Sequence, residues 1–187
     1  MTATPTISIS HVVLHCFDLD RMIDFYNGVL GLHQTDRITI GGGEFAGAPL
    51  VFFSNDPRDH HQLALSVGRT ADRESVLLHQ ISFRHDSLDR LRGLRDALAE
   101  DGGGVEETVD HGTHWSIYFH DPEGNFIEAF VDTPWYVQPH YHALDLSLSD
   151  DEIAAATEAR IKDRPEFKPL AQWQEELAEE IGLDTVE

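Results

Sequence analysis

The segment His11-Val-Val-Leu-His-Cys-Phe-Asp-Leu-Asp-Arg has a counterpart in His79-Gln-Ile-Ser-Phe-Arg-His-Asp-Ser-Leu-Asp-Arg, with one residue inserted. An internal repeat constrains a fold strongly, because the chain must hold the same supersecondary unit twice. Each copy reads as a strand that starts at a histidine and runs into a helix. The first helix is predicted to start near Asp18, to carry Met22, Phe25, Tyr26 and Leu30 at helical spacing, and to stop at Gly31. The second is predicted to start near Ser87, with Leu88, Leu91, Leu94 and Leu98 on one face and a stop at Gly102–Gly104.

Short β segments follow each helix. They are Gln34–Ile40, Leu50–Ser54 and His61–Val67 in the first half, then Val105–Val109, Trp115–His120 and Phe126–Val131 in the second. Each half therefore reads βαβββ, over residues 7–68 and 76–133. The predicted class is α+β: two fused modules forming one curved mixed sheet around a metal site, with a C-terminal helical tail. The expected domain is residues 1–137 and the extension residues 138–187, with helices over Ser149–Ile161 and Leu170–Ile181.

Asp121-Pro-Glu-Gly-Asn is a turn sequence, with proline preset for the bend and glycine free to take positive φ, so it closes a hairpin centred on Glu123. Strand side chains alternate between faces. Ile117, Phe119, Ile127 and Ala129 then form an apolar face, while Ser116, Tyr118, His120 and Glu128 look into a more polar concavity, with Tyr118 and Glu128 as cross-strand neighbours.

Quasi-twofold symmetry would bring the strands that start at His11 and His79 together. With Glu128 they make two histidines and a carboxylate, the set that leaves Fe(II) open positions for substrate and oxygen. By pattern alone the same residues also fit hydrogen-bonded structural histidines and a solvent-facing glutamate. Cys16 is the single cysteine, which rules out an internal disulfide and a zinc-thiolate cluster, so a metal here would be held by histidine and carboxylate.

The formal net charge of -21 excludes nucleic acid and anionic membrane as partners, because both need a basic footprint. With 41% hydrophobic residues the chain has enough apolar side chains for a real core. There is no apolar run of about eighteen residues, and MTATPTISIS has no basic stretch followed by an apolar block. A cytoplasmic protein is expected, as a homodimer or higher homo-oligomer. Gly41–Gly43 reads as a turn, since no Lys-Ser/Thr follows it as in a phosphate loop.

The stretches HVVLHCFDLDRMIDFYNGVLGL, DHHQLAL, LHQISFRHDSLDRL, DHGTHWSIYFHDPEGNFIEAF and VDTPWY resemble the vicinal oxygen chelate superfamily. Within it they are similar to one-domain type I extradiol catechol dioxygenases, over about residues 7 to 137. The resemblance implies His11, His79 and Glu128 as ligands of Fe(II), with Mn(II) able to use the same set. It also implies catalytic roles for three further residues, with a small aromatic diol and O2 as substrates. His61 would take a proton or hydrogen-bond the oxygen, His111 of Asp-His-Gly would be a general acid, and Tyr118 would orient the diol.

His60 competes with His61 and His114 with His111; strand parity favours His114, whereas the motif favours His111. Phe45, Phe52, Trp115, Phe130 and Trp135 would make a rim suited to a biaryl or fused-ring diol, and Trp135 and Tyr136 could instead seal the tail. Two rival functions are a glyoxalase-type isomerase or lyase and a metal-free drug-binding protein. The first wants a second carboxylate from the last strand of the first half. That strand offers only Gln62 as a weak ligand.

Overall fold

Asp18 starts the first helix by the mechanism its side chain provides: its carboxylate accepts the Arg21 amide at 3.0 Å and so satisfies a donor that the first turn would leave open. The structure, a computed structural model, describes residues 9–42, 46–70 and 78–182. Its described residues fall into two compact units, residues 9–80 with 120–126, and residues 81–119 with 127–182.

The first unit runs β1 (Val12–Cys16), α1 (Leu19–Ile23), β2 (Gln34–Thr39), β3 (Pro49–Phe53) and β4 (Leu63–Val67). The predicted helix does reach Val29, but from Asp24 it widens into π winding, with the Leu30 amide donating to the Phe25 carbonyl at 3.0 Å. Such a widening is rare. The consecutive aromatics Phe25 and Tyr26 are both buried within it, and the Tyr26 hydroxyl donates to Asp121 at 3.0 Å. Gly31 then leaves the helix at φ 71°, a left-handed conformation that only glycine takes readily.

The strands order as β1-β4-β3-β2, with β1 parallel to β4 and the rest antiparallel. The predicted strand from His61 starts only at Leu63, so His61 lies in the turn before β4. The hairpin tip around Glu123 clusters with this unit. The Glu123 carboxylate, 1% exposed, accepts the Phe17 and Asp18 amides at 2.6 and 2.7 Å and pairs with Arg69 at 3.3 Å.

The second unit contains β5 (Ile81–Arg84), α2 (Leu88–Glu100), β6 (Glu107–Asp110) and most of β7 (His114–His120) and β8 (Phe126–Asp132). It continues with β9 (Trp135–Tyr136), β10 (His142–Ala143), α3 (Asp150–Ile161), β11 (Lys168–Pro169) and α4 (Leu170–Ile181). The sheet order is β10-β6-β7-β8-β5, and β5 runs parallel to β8 as β1 does to β4. Each module thus repeats the same α+β plan with its own mixed sheet. Leu88, Leu91, Leu94 and Leu98 of α2 are all buried, as their spacing predicts.

Face assignment on the hairpin follows the alternation. Ile117, Phe119, Ile127 and Ala129 are fully buried, and Ser116, Tyr118 and Glu128 take the opposite side, while His120 is exposed. α3 opens with a capping box between Ser149 and Glu152. Trp115 donates from Nε1 to Thr157 of α3 at 2.9 Å, and Tyr136 stacks on Trp173 of α4 with centroids 4.8 Å apart. Trp115, Trp135 and Tyr136 therefore pack against the C-terminal extension, which takes Trp115 and Trp135 out of the expected aromatic rim. Phe45 and Gly43 lie outside the described residues. Among the described residues no helix is long and apolar enough to cross a membrane.

Candidate metal and catalytic site

Glu128 projects from the middle of β8 and is 4% exposed. A carboxylate so deeply buried needs donors, and the neighbouring strands supply three hydroxyls. Ser82 of β5 donates to Oε2 at 2.6 Å, and Ser116 and Tyr118 of β7 donate to Oε1 at 2.8 and 2.7 Å. Ser82 stands opposite Glu128 in the parallel β5–β8 register, so strand pairing alone puts its hydroxyl there.

Burial pushes the Glu128 carboxyl up, but the hydrogen bonds from Ser82, Tyr118 and Ser116, with His114 nearby, outweigh it and hold the group below the usual carboxylate range. It is an anion at neutral pH, the form a metal ligand must take. Burial, then the hydrogen bond to Glu128, pushes the Tyr118 hydroxyl well up, so it stays a donor.

His111 sits in the loop entering β7, as the Asp-His-Gly motif predicts, and its Nε2 lies 2.9 Å from the Tyr118 hydroxyl. Its Nδ1 lies 2.8 Å from the His140 carbonyl oxygen, which can only accept, so Nδ1 carries the proton and Nε2 faces the tyrosine. A continuous line runs from His111 Nε2 through Tyr118 Oη to Glu128 Oε1. A proton placed on Nε2 would be donated towards Tyr118.

His114 lies beside this line rather than in it. Its Nε2 is 3.6 Å from Glu128 Oε1, its ring is 4.6 Å from that of His111, and its Nδ1 meets Thr113 Oγ1 at 2.7 Å. Burial, then His111, keeps the His114 imidazole below its usual value, against the pull of Glu128. His111, His114 and Glu128 offer ligand atoms within 4.8 Å of one another. Both ring nitrogens of His111 are already engaged, however, so a metal on that trio would have to displace Tyr118 or His140 from it.

The first unit carries the other candidate histidines, His11, His60, His61 and His79. His11 immediately precedes β1, and its ring lies 4.1 Å from that of His61, which also meets Phe52 at 4.8 Å. His60 Nδ1 is 2.9 Å from His61 Nδ1, and its own Nε2 points to Asp36 at 3.8 Å with the side chain 58% exposed. His61 is therefore the member of the pair that stacks on His11. Burial, then His11 and His60, holds the His61 imidazole below its usual value.

His79 stands two residues before β5, its ring edge-on to Phe126 at 6.0 Å. The expected ligands His11, His79 and Glu128 are imidazole and carboxylate by type, a chemistry that would suit Fe(II) or Mn(II) better than a thiophilic ion. Gln62 is occupied elsewhere. Its Oε1 accepts the Asn55 amide at 3.1 Å and Ser54 Oγ at 3.4 Å.

Three groups escaped the sequence reading. Ser82 was legible only through register, since a lone serine in a strand has no signature. Asp110 and the His140 carbonyl, which fix the His111 loop, depend on contacts with distant residues.

Comparison with known proteins adds an independent line. The model of the Glyoxalase/Bleomycin resistance protein/Dioxygenase superfamily matches residues 8–129. A biphenyl-2,3-diol 1,2-dioxygenase 2 from Rhodococcus globerulus is 31% identical over 165 residues, covering 82% of this chain and 80% of that protein. A biphenyl-2,3-diol 1,2-dioxygenase 3 from the same organism is 29% identical, covering 91% and 82%. Among solved structures, a glyoxylase/bleomycin resistance protein/dioxygenase domain from Frankia sp. EAN1pec has a TM-score of 0.56 at 24% identity, covering 69% of this chain and 94% of that one. A fosfomycin resistance protein, FosX, from Listeria monocytogenes has a TM-score of 0.54 at 18% identity, covering 69% and 95%. At those identities the two structures bear on fold alone.

Proposed function

Since the chain belongs to the glyoxalase/bleomycin resistance protein/dioxygenase superfamily, we propose that it is an extradiol dioxygenase that opens a catecholic ring beside its diol with O2. The observation that carries this reading is the His111–Tyr118–Glu128 line: a buried ionised carboxylate, a tyrosine held as donor on it, and a histidine whose Nε2 is aimed at that tyrosine.

His11, His79 and Glu128 would hold Fe(II), or Mn(II) in its place. When bound, the metal supplies a template and Lewis acid for diol and oxygen. The chain's own residues supply the rest. On substrate binding the Tyr118 hydroxyl, whose one proton is otherwise donated to Glu128, would turn to the diol and orient it, and His111, bare at Nε2, would take up a proton there and return it in the ring-opening step. His61, neutral because burial and its imidazole neighbours disfavour its charged form, accepts a proton or hydrogen-bonds the oxygen. A biaryl diol is the substrate class favoured by the named relatives, and Phe130 beside His114 is an aromatic surface for it.

The isomerase reading loses its ligand, because Gln62 is committed to the Ser54–Asn55 turn. A drug-sequestering protein would have no use for a buried carboxylate ringed by hydroxyls. The test is to load the metal-free chain anaerobically with Fe(II), add 2,3-dihydroxybiphenyl and oxygen, and follow the yellow ring-opened product. Colour with wild type that vanishes in Glu128→Ala and slows in His111→Ala is expected. One tightly bound metal per chain with no colour from any simple catechol would overturn the dioxygenase reading.

A further inference from the structure

The loop that carries His111 is held by a helix that lies beyond the residues the family model matches. Asp110, fully buried at the end of β6, accepts Thr157 Oγ1 at 2.7 Å and Arg160 Nη1 at 2.6 Å on Oδ2. Its Oδ1 accepts the Gly112 amide at 2.8 Å. Both donors on Oδ2 come from α3, whereas the family model ends at residue 129.

Gly112 is fixed as firmly as Asp110. Its φ of +81° is one that other residues rarely adopt, and a Cβ there would stand 2.6 Å from His140 Nε2 and Val137 Cγ2. Thr133 Oγ1 donates to its carbonyl at 2.7 Å. His111 is thus strung between two pinned residues, and its ring is fixed by the His140 carbonyl and Tyr118.

We infer that Thr157 and Arg160 of α3, acting through Asp110, are positioning residues that hold His111 against Tyr118, so that the C-terminal extension completes the catalytic machinery. The physical reason lies in Asp110. A buried carboxylate stripped of its cationic partner is left uncompensated and is drawn towards water, and its other oxygen would then release the Gly112 amide and with it the loop. Only the chemical task given to His111 rests on the proposed function; the placement of its ring does not.

The test uses the full chain with Arg160→Leu, which keeps the aliphatic stem, and Arg160→Lys as the conservative variant. Nitrogen NMR of the metal-free, 15N-histidine-labelled protein reads the His111 tautomer directly, its signals identified by their loss in His111→Gln. Wild type and Arg160→Lys are expected to show one fixed tautomer protonated on Nδ1, and Arg160→Leu an averaged one. With Fe(II) and 2,3-dihydroxybiphenyl, Arg160→Leu is expected to lower kcat about 10- to 100-fold, the scale of a misplaced catalytic group, with KM little changed and most of the rate restored in Arg160→Lys. In a His111→Ala background the same substitution should have no further effect on kcat.

A lower melting temperature with an unchanged tautomer and unchanged kcat would overturn the inference, leaving α3 a purely structural brace. So would an equal slowing in the His111→Ala background. A shifted tautomer in a protein whose wild type cleaves no catechol would refute the dioxygenase reading while upholding the positioning of His111 by α3.

Discussion

Replacing Tyr118 by phenylalanine removes one hydroxyl and leaves the ring in its 9% exposed setting, so its consequences can be worked out from two contacts. The hydroxyl donates to Glu128 Oε1 at 2.7 Å and meets His111 Nε2 at 2.9 Å. A hydrogen bond to a charged group contributes about 1.5–3 kcal/mol. Glu128 would keep Ser116 at 2.8 Å and Ser82 at 2.6 Å, which places the stability loss at the lower end.

A loss of about 1.5 kcal/mol corresponds to a fall in melting temperature of about 3–6 °C for a chain of this size. Catalysis should suffer more. On the proposed function, the group that orients the diol and the partner that aims His111 disappear together, and removal of one preorganised donor typically lowers kcat by about 100-fold or more. Glu128 keeps two of its three hydroxyl donors, so a metal held as proposed should still bind in the variant. The assay is ring-opening of 2,3-dihydroxybiphenyl at saturating oxygen with metal content measured on the same sample, beside a thermal melt of the metal-free protein. Wild-type kcat in the phenylalanine variant would refute the argument, because this hydroxyl is the group that stands within hydrogen-bonding distance of both His111 Nε2 and Glu128 Oε1.

Three further outcomes follow from the same geometry. Glu128 has its folded pKa below the ordinary value, so its stabilising contribution is present above about pH 4.3 and is lost as pH falls through the folded value; urea titrations should show wild type losing stability on acidification relative to Glu128→Gln, and parallel pH curves would contradict this. Gly112→Ala should cost at least 1–2 kcal/mol or so from the left-handed backbone alone, with the clash against His140 and Val137 added, and should depress both melting temperature and ring-opening rate. Burial, reinforced by Glu123 and Asp18, pushes the Cys16 thiol up to about 12, so a thiol-specific chromogenic reagent at pH 8 should leave it unmodified in the native chain and react once urea is added.

Much of the fold was legible because it rests on local rules that repeat. The stripe of leucines in α2, the glycine that ends the first helix, the Asp121–Asn125 turn and the alternation along β7 and β8 each follow from one short stretch of chain. The repeat also gave the parallel pairing a counterpart in each half, β1 with β4 and β5 with β8. The π winding after Ile23 was not legible, since its residues pass as ordinary helix formers.

The candidate site divides along the same line. Hairpin parity alone puts Tyr118 beside Glu128, because a side-chain period of two leaves no freedom once the turn is fixed. The choice between His60 and His61, or between His111 and His114, is a matter of ring orientation set by partners far along the chain. His61 turns to His11, and His111 is turned by the carbonyl of His140. Three assignments were likewise beyond sequence: Ser82 as a donor to Glu128, Trp115 as an anchor for α3 rather than a rim residue, and Asp110 as the clamp on the His111 loop. By itself the sequence determined the two modules, the polar face of the hairpin and the residue types available for chemistry, because local periodicity and turn geometry act within a few residues. Only the tertiary structure decided which donors meet which acceptors, because a buried carboxylate is satisfied by whatever distant hydroxyl, amide or guanidinium the fold brings within hydrogen-bonding distance.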